Sequence, residues 1–131
     1  MNPIYKFTIW EKDNLFATYL PGNKADTAIN PGTGAEYANP GYSVTDYLAV
    51  SPGGMVNVSE IINYAFYDAA KKQVAGAHVY PFSGWIQSPE KARYIRITVF
   101  TGAQFNSLVV TNAHLVKPTY KDDLTKDWEL E

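Results

Sequence analysis

Two histidines and a few pairs of carboxylates are the residues of this chain best suited to acid–base chemistry. The two imidazoles belong to His78 and His114. The carboxylate pairs that could act together in glycoside hydrolysis are Glu11 with Asp13, Glu60 with Asp68, and Asp122 with Asp123. A catalytic triad also needs a nucleophile, and no serine lies in the glycine pattern of a nucleophile elbow. The sequence therefore predicts that the chain is not an enzyme.

Metal and cofactor chemistry have no recognisable motif. The chain has no cysteine, which excludes disulfides, thiolate metal sites and a cysteine nucleophile. It also has no spaced Asp/Asn/Gly calcium loop. The segment Gly32-Thr33-Gly34 precedes no predicted helix and lacks the following lysine of a phosphate-binding loop. We expect no metal site and no cofactor.

Aromatic side chains are the residues that favour recognition. Aromatics make up 15% of the chain, and ten of them are tyrosines. Aromatic residues suit the half-buried surface of a β-sheet, so packing explains many of them. A tyrosine also offers a flat apolar ring with a polar tip, which suits a binding face.

The segment from Tyr80 to Ile86 (YPFSGWI) concentrates aromatics between two predicted strands, and we expect it to form a loop. Its Trp85 has two interpretations. An exposed tryptophan could stack on a ligand such as a sugar. Alternatively, the loop could fold over the end of the barrel with Trp85 as its plug, because large aromatics are on average heavily buried.

Short strands separated by turns must position these residues. From Tyr42 onward we predict strands near residues 43–50, 54–59, 61–67, 73–79, 92–100 and 105–111. Ile95, Ile97 and Val99 share one face, which we expect in the core together with Phe66. No segment has a sustained helical period. The pattern predicts an all-β fold, a jelly-roll-like β-sandwich of two antiparallel sheets.

The predicted organisation has three parts. Residues 1–41 form an N-terminal arm, with strands at Ile4–Trp10 and Leu15–Leu20, followed by a connector rich in glycine and proline. The long connector is either a functional surface loop or a junction, and we favour the junction. Residues 42–116 form the β-sandwich core. Residues 117–131 form a charged tail, either an edge strand or a linker.

Charge and hydropathy exclude several classes of partner. The chain has 131 residues, which suits one domain. The net charge is −2 and the basic residues are dispersed, which argues against nucleic acid. No apolar run approaches the roughly 20 residues that span a bilayer, so we expect no membrane insertion. The ends of the chain, including Met1 and Leu130-Glu131, are compatible with a domain excised from a longer protein.

Three segments carry a resemblance to a known group of proteins. They are 46–54 (DYLAVSPGG), 65–68 (AFYD) followed by Lys71-Lys72, and 88–97 (SPEKARYIRI). This run, about residues 46–99, resembles small jelly-roll modules similar to carbohydrate-binding modules. Such modules occur in phage tail fibre, tail spike and baseplate proteins, and in extracellular glycan-acting enzymes. The resemblance implies the fold and a binding role, and it assigns no ligand contacts.

Residues and resemblance together predict a non-catalytic adhesion module of a virion or another extracellular protein. Its partner would be a cell-surface glycan or receptor. The candidate binding residues are Tyr80, Trp85, Tyr94 and Arg96, the last two on the face opposite the core face of their strand. The alternative is a structural module of a virion appendage that docks neighbouring domains or chains. A stable homotrimer would favour that alternative.

Overall fold

Nearly all regular structure in this protein is β-strand. The computed structural model describes residues 6–11 and 14–116. These contain one short helix, α1 (Ala103–Asn106). They contain eight strands: β1 (Lys6–Glu11), β2 (Lys24–Ile29), β3 (Glu36–Val44), β4 (Leu48–Ala49), β5 (Met55–Tyr67), β6 (Gln73–Gln87), β7 (Tyr94–Phe100) and β8 (Val110–Val116). The all-β class predicted from the sequence is confirmed.

The long strand β5 organises the sheet. One edge of β5 pairs with β6 along most of its length. On the other edge, β8 pairs with the first part of β5 and β7 pairs with the last part. β1 extends the sheet beyond β8, while β3 and then β2 extend it beyond β7, and every pairing is antiparallel. The described strands thus form one continuous sheet with two branches, and the predicted division into two separate sheets is not shown.

Side chains from both branches meet in one hydrophobic core. Val56 and Val110 lie in the branch with β8, and Ile97 lies in the branch with β7; all three are fully buried in the same cluster. Alternation along β7 places its aliphatic side chains on the core face. The predicted core residues Ile95, Ile97, Val99 and Phe66 all belong to this cluster, and their assignment to the core is confirmed.

The hairpin of β2 and β3 covers the opposite face of β7. Ile29 and Val44 pack there against Ala65 and Tyr67 in a second buried cluster. The backbone N–H of Ile29 donates a hydrogen bond to the hydroxyl of Thr98 at 3.2 Å. Since both faces of β7 are covered, its polar side chains are buried as deeply as its aliphatic ones.

Several predicted elements are wrong. Residues 21–41, predicted as an irregular connector, contain β2 and the first part of β3. Residues 15–20, predicted as a strand, form bends and turns instead. Long-range pairing explains the difference, because β3 gains hydrogen-bonding partners on β7 that local composition does not reveal.

Other predicted strands are present with different bounds. The predicted strands at 54–59 and 61–67 are the single strand β5, whose pairing register shifts between Val58 and Asn63. The predicted N-terminal strand is confirmed at Lys6–Glu11. The charged tail at 117–131 lies outside the described residues.

Within the described ranges, no helix has both the length and the apolar character that crossing a membrane requires.

Candidate functional site

Three aromatic side chains cross one face of the sheet from β6 to β3. The ring of Phe100 packs edge-to-face against Tyr80, with centroids 5.4 Å apart, and against Tyr42, with centroids 5.3 Å apart. Phe100 and Tyr42 are cross-strand partners, which explains their contact. Tyr80 is 46% exposed and Phe100 36%. We call Tyr42, Phe100 and Tyr80 the aromatic row.

A bulge in β6 lies at Tyr80. Asn63 of β5 pairs with His78, and Ile61 pairs with Phe82. Two residue steps along β5 therefore match four steps along β6, and the extra length of β6 contains Tyr80. Bulges of this kind re-aim side chains and are common next to functional sites.

A shallow groove lies beside the aromatic row. Its larger part has a volume of about 410 Å³ and is lined by Ser59, Glu60, Pro81, Phe82 and Ser83. A second part of about 270 Å³ shares Ser59 and Glu60 and is lined also by Ala103, Gln104 and Ser107. We call the two parts the Glu60 groove.

Two links join the Glu60 groove to the aromatic row. Pro81 of the groove directly follows Tyr80. Gln104, also in the groove, accepts a hydrogen bond at its Oε1 from the backbone N–H of Phe100 at 2.7 Å. Tyr80 and Phe100 are therefore neighbours of groove residues, and neither of them lines the groove itself.

The groove offers both acceptors and donors of hydrogen bonds. Glu60 is exposed, and within the described part of the chain its carboxylate has no salt-bridge partner. Because the Oε1 atom of Gln104 already accepts a hydrogen bond, the amide NH₂ remains to donate. The Ser59 hydroxyl accepts a bond from the N–H of Val109 at 2.9 Å and can still donate. An acceptor and donors beside aromatic rings suit a polyhydroxylated ligand.

Trp85 lies in β6 rather than in a loop, because Phe82 and residues 84–86 of the YPFSGWI segment pair with β5. The side chain is 48% exposed, so Trp85 does not plug the end of the fold and that interpretation is wrong. Its cross-strand partner Asn57 lines a further depression with Ser59. Trp85 thus borders the segment of β5 that leads into the Glu60 groove.

Arg96 is buried, so it does not lie on an exposed face of the sheet as expected from the sequence. The residue is 2% exposed. Its Nε donates a hydrogen bond to the carbonyl of Thr45 at 2.8 Å, and its Nη1 lies 2.6 Å from the carboxylate of Glu36. The β2–β3 hairpin supplies Glu36, so the covering of β7 that the sequence did not reveal also removes Arg96 from the surface.

Tyr94 is half-buried at the opposite end of β7 from Phe100. Six residue steps along the strand separate them, which is roughly 20 Å. Its ring packs against Tyr47, with centroids 5.8 Å apart, and not against the aromatic row. The structure thus places Tyr80 and Trp85 on one strand and leaves Tyr94 elsewhere, so the four predicted residues do not form one site.

Five contributors to the site were missed as binding residues: Tyr42, Ser59, Glu60, Phe100 and Gln104. Phe100 continues the alternating face of Tyr94 and Arg96, which was a usable signal. No signal in the sequence pointed to Gln104, because its place in the groove depends on the short helix α1, which packs beside the end of β7.

The acid–base candidates do not assemble into a catalytic pair in the described residues. His78 is exposed on β6. Glu60 lies in the middle of β5, whereas Asp68 follows the end of that strand and caps the turn after it. The side chains of the other carboxylate pairs and of His114 lie outside the described residues. Among described side chains, no three His, Asp or Glu come together as a metal site would need.

Comparison with known proteins identifies no relative. No family model matches the chain, and neither the curated proteins nor the solved structures contain a significant match. The resemblance to carbohydrate-binding modules stays a prediction, and any functional argument depends on the site itself.

Proposed function

We propose that this chain is a non-catalytic binding module that recognises a cell-surface glycan through the aromatic row and the Glu60 groove. The observation that carries the proposal is the exposed pair Tyr80 and Phe100 beside a groove with a carboxylate and an amide. Together with the resemblance, it favours an adhesion role in a phage tail or another extracellular protein.

The chemistry of the groove fits a sugar. The faces of aromatic rings stack on the C–H surfaces of a pyranose, and a few placed polar groups fix its hydroxyls. The carboxylate of Glu60 would accept hydrogen bonds from sugar hydroxyls, and the amide of Gln104 would donate one. Trp85 would extend the aromatic surface for a longer chain, since it lies farther along the same strand.

A glycan array followed by titration of the best ligand tests this proposal. We expect Tyr80→Ala and Glu60→Gln each to weaken binding by at least about tenfold, equivalent to about 1.4 kcal/mol. Tyr19→Ala is the matched control, because Tyr19 is 84% exposed and lines no part of the groove. The proposal is wrong if the array shows no ligand, or if the two groove variants bind as tightly as the control.

One observation favours the alternative, an assembly module that docks a neighbouring chain. β6 spans 15 residues and, within the described part of the chain, pairs with β5 alone. It carries no Lys, Arg, Asp or Glu, the charged residues that often protect an exposed edge, and only Pro81 and the irregular pairing around it interrupt this edge in the YPFSGWI segment. Such an edge could accept a strand from another chain.

Light scattering distinguishes the two roles. An assembly module should form a stable oligomer, such as a homotrimer, and His78→Lys should dissociate it by placing a charge on the exposed face of β6. A monomer at all concentrations that binds a glycan would contradict the assembly role.

A further inference from the structure

A second aromatic cluster lies at the opposite end of β7 from the Glu60 groove. The rings of Tyr47 and Tyr94 meet at 77°, with centroids 5.8 Å apart, and form a corner. The ammonium group of Lys71 lies 4.8 Å from the centroid of Tyr47 and 5.7 Å from that of Tyr94. We propose that this corner is a binding site for a methylated organic ammonium group, which Lys71 occupies in the unliganded protein.

Both walls of the corner pack against the second buried cluster, to which Tyr67 belongs. Tyr67 packs edge-to-face on Tyr47 with centroids 5.0 Å apart, and its hydroxyl donates to the carbonyl of Gly34 at 2.8 Å. Burial raises the pKa of Tyr67 to about 12, so this ring stays neutral. The backbone N–H of Tyr47 donates to the carboxylate of Asp46 at 2.7 Å. The corner is therefore a preformed surface rather than a contact between mobile side chains.

The turn after β5 directs Lys71 toward the corner. The Oδ1 atom of Asp68 accepts hydrogen bonds from the N–H groups of Ala70 and Lys72, at 2.9 and 3.0 Å. The turn places Lys71 at φ 64°, a left-handed conformation that favours glycine. Among the described residues, no carboxylate forms an ion pair with Lys71, and the two rings are the partners of its ammonium group.

The position of this ammonium group identifies the class of ligand. Aromatic rings attract cations through the negative potential of their faces, and aromatic sites of this kind recognise quaternary ammonium groups. Arg96 also lies over the ring of Tyr47, at 4.7 Å, but its charge is paired with Glu36. A trimethylammonium group should fill the corner better than a primary amine, because its methyl groups contact both rings and it is more weakly hydrated.

We expect the source to be a soluble small molecule rather than a membrane lipid. The exposed large apolar side chains of the described residues belong to other segments, and none lies in the Asp68–Lys72 turn. The turn therefore lacks an apolar side chain that could insert into a bilayer beside the corner.

Choline titrated against Lys71→Gly, and followed by amide NMR, tests the site. This variant removes the built-in cation, and glycine suits the left-handed backbone, so the turn should be retained. We expect Lys71→Gly to bind choline at least about tenfold more tightly than the native chain, with shifts around Tyr47 and Tyr94. The uncharged analogue in which carbon replaces the quaternary nitrogen should bind at least about tenfold more weakly than choline.

Two controls make the outcome decisive. Adding Tyr94→Leu to Lys71→Gly should abolish choline binding, whereas adding Tyr80→Ala should not, because Tyr80 belongs to the aromatic row. The proposal is overturned if Lys71→Gly shows no saturable shifts, or if the uncharged analogue binds equally well. Cosedimentation of the variant with phosphatidylcholine vesicles, lost on Tyr94→Leu, would overturn the assignment to a soluble ligand.

Discussion

Arg96 was expected on a binding face, but in the structure it is the buried member of an ion pair. Its guanidinium is removed from water by the β2–β3 hairpin and is paired there with Glu36. The same carboxylate lies 2.8 Å from the ammonium of Lys24. Removing one partner of a buried charge leaves the other uncompensated, so Glu36 should matter for stability although a third of its side chain is exposed.

The first prediction concerns Glu36→Gln and pH. The hydrogen bond from Lys24, with a smaller contribution from Arg96, holds the pKa of Glu36 below its ordinary value of 4.5. A lowered pKa stabilises the folded protein fully above that ordinary value, and the contribution is lost as pH falls through the lowered one. We expect Glu36→Gln to lower the free energy of unfolding by about 1–2 kcal/mol at neutral pH, less than for a fully buried pair because water screens Glu36.

Denaturant unfolding at a series of pH values measures this effect. The difference between the native chain and Glu36→Gln should shrink on acidification. Glu90→Gln, an exposed position outside the Arg96 ion pair, is the control. A difference that stays constant from neutral to acid pH would contradict the role assigned to the ionised carboxylate.

The second prediction concerns Ile97→Ala. Ile97 is fully buried where the two branches of the sheet meet, and truncation would leave a cavity. We expect a loss of about 2–5 kcal/mol in the free energy of unfolding. Val109→Ala, at a position 45% exposed, should change it by no more than about 0.5 kcal/mol. Equal effects of the two substitutions would refute the core assignment.

The third prediction concerns Trp85→Ala. Since Trp85 is half exposed, its truncation should cost about 1–2 kcal/mol, below the roughly 3–5 kcal/mol of a fully buried large aromatic. Thermal or denaturant unfolding provides the measurement. A cost at the upper end of that range would contradict the half-exposed position of Trp85.

At the scale of elements, the β2–β3 hairpin depends on a close approach to β6. A Cβ atom added at Gly76 would lie 2.3 Å from the carbonyl oxygen of Pro31 and 2.8 Å from that of Tyr64. Both neighbours are backbone atoms, which cannot rotate away. The absence of a side chain at Gly76 is therefore what lets the hairpin loop pack on β6.

The fourth prediction follows from that contact. Gly76→Ala should push the loop outward and lower the free energy of unfolding by about 1–3 kcal/mol, as other overpacked sites do. Hydrogen exchange of the β2 amides should accelerate. Gly32→Ala in the same loop is the control, because its new Cβ would meet only the side chain of Asn30, at 3.2 Å. Similar exchange in the two variants would show that the close approach is unimportant.

At the scale of the whole molecule, β5 joins all parts of the sheet. It pairs with β6, β7 and β8, and both branches contribute to one core. Neither branch could lose its core contacts without exposing apolar surface of the other. The described part of the chain should thus behave as one cooperative unit.

The fifth prediction is a single unfolding transition. Denaturant curves from far-UV and near-UV circular dichroism should coincide, and amides of β2 and β8 should share the slowest exchange class with those of β5. An earlier transition confined to residues 24–44 would show that the β2–β3 hairpin is an independent arm, as the sequence alone suggested.

The sequence by itself determined the all-β class and the core face of β7. Both follow from local patterns: turn residues separate short apolar segments, and Ile95, Ile97 and Val99 alternate with more polar side chains. Local patterns are visible in a sequence because a strand's period of two depends on neighbouring residues alone.

Only the tertiary structure decided which polar and aromatic residues are exposed. Arg96 is buried because a distant hairpin covers it, and Trp85 is half exposed because its segment extends β6 instead of forming a loop. The Glu60 groove likewise needs β5, β6 and α1 to meet. Contacts between segments far apart in the chain depend on long-range pairing, and the local composition of each segment does not encode which partner it will find.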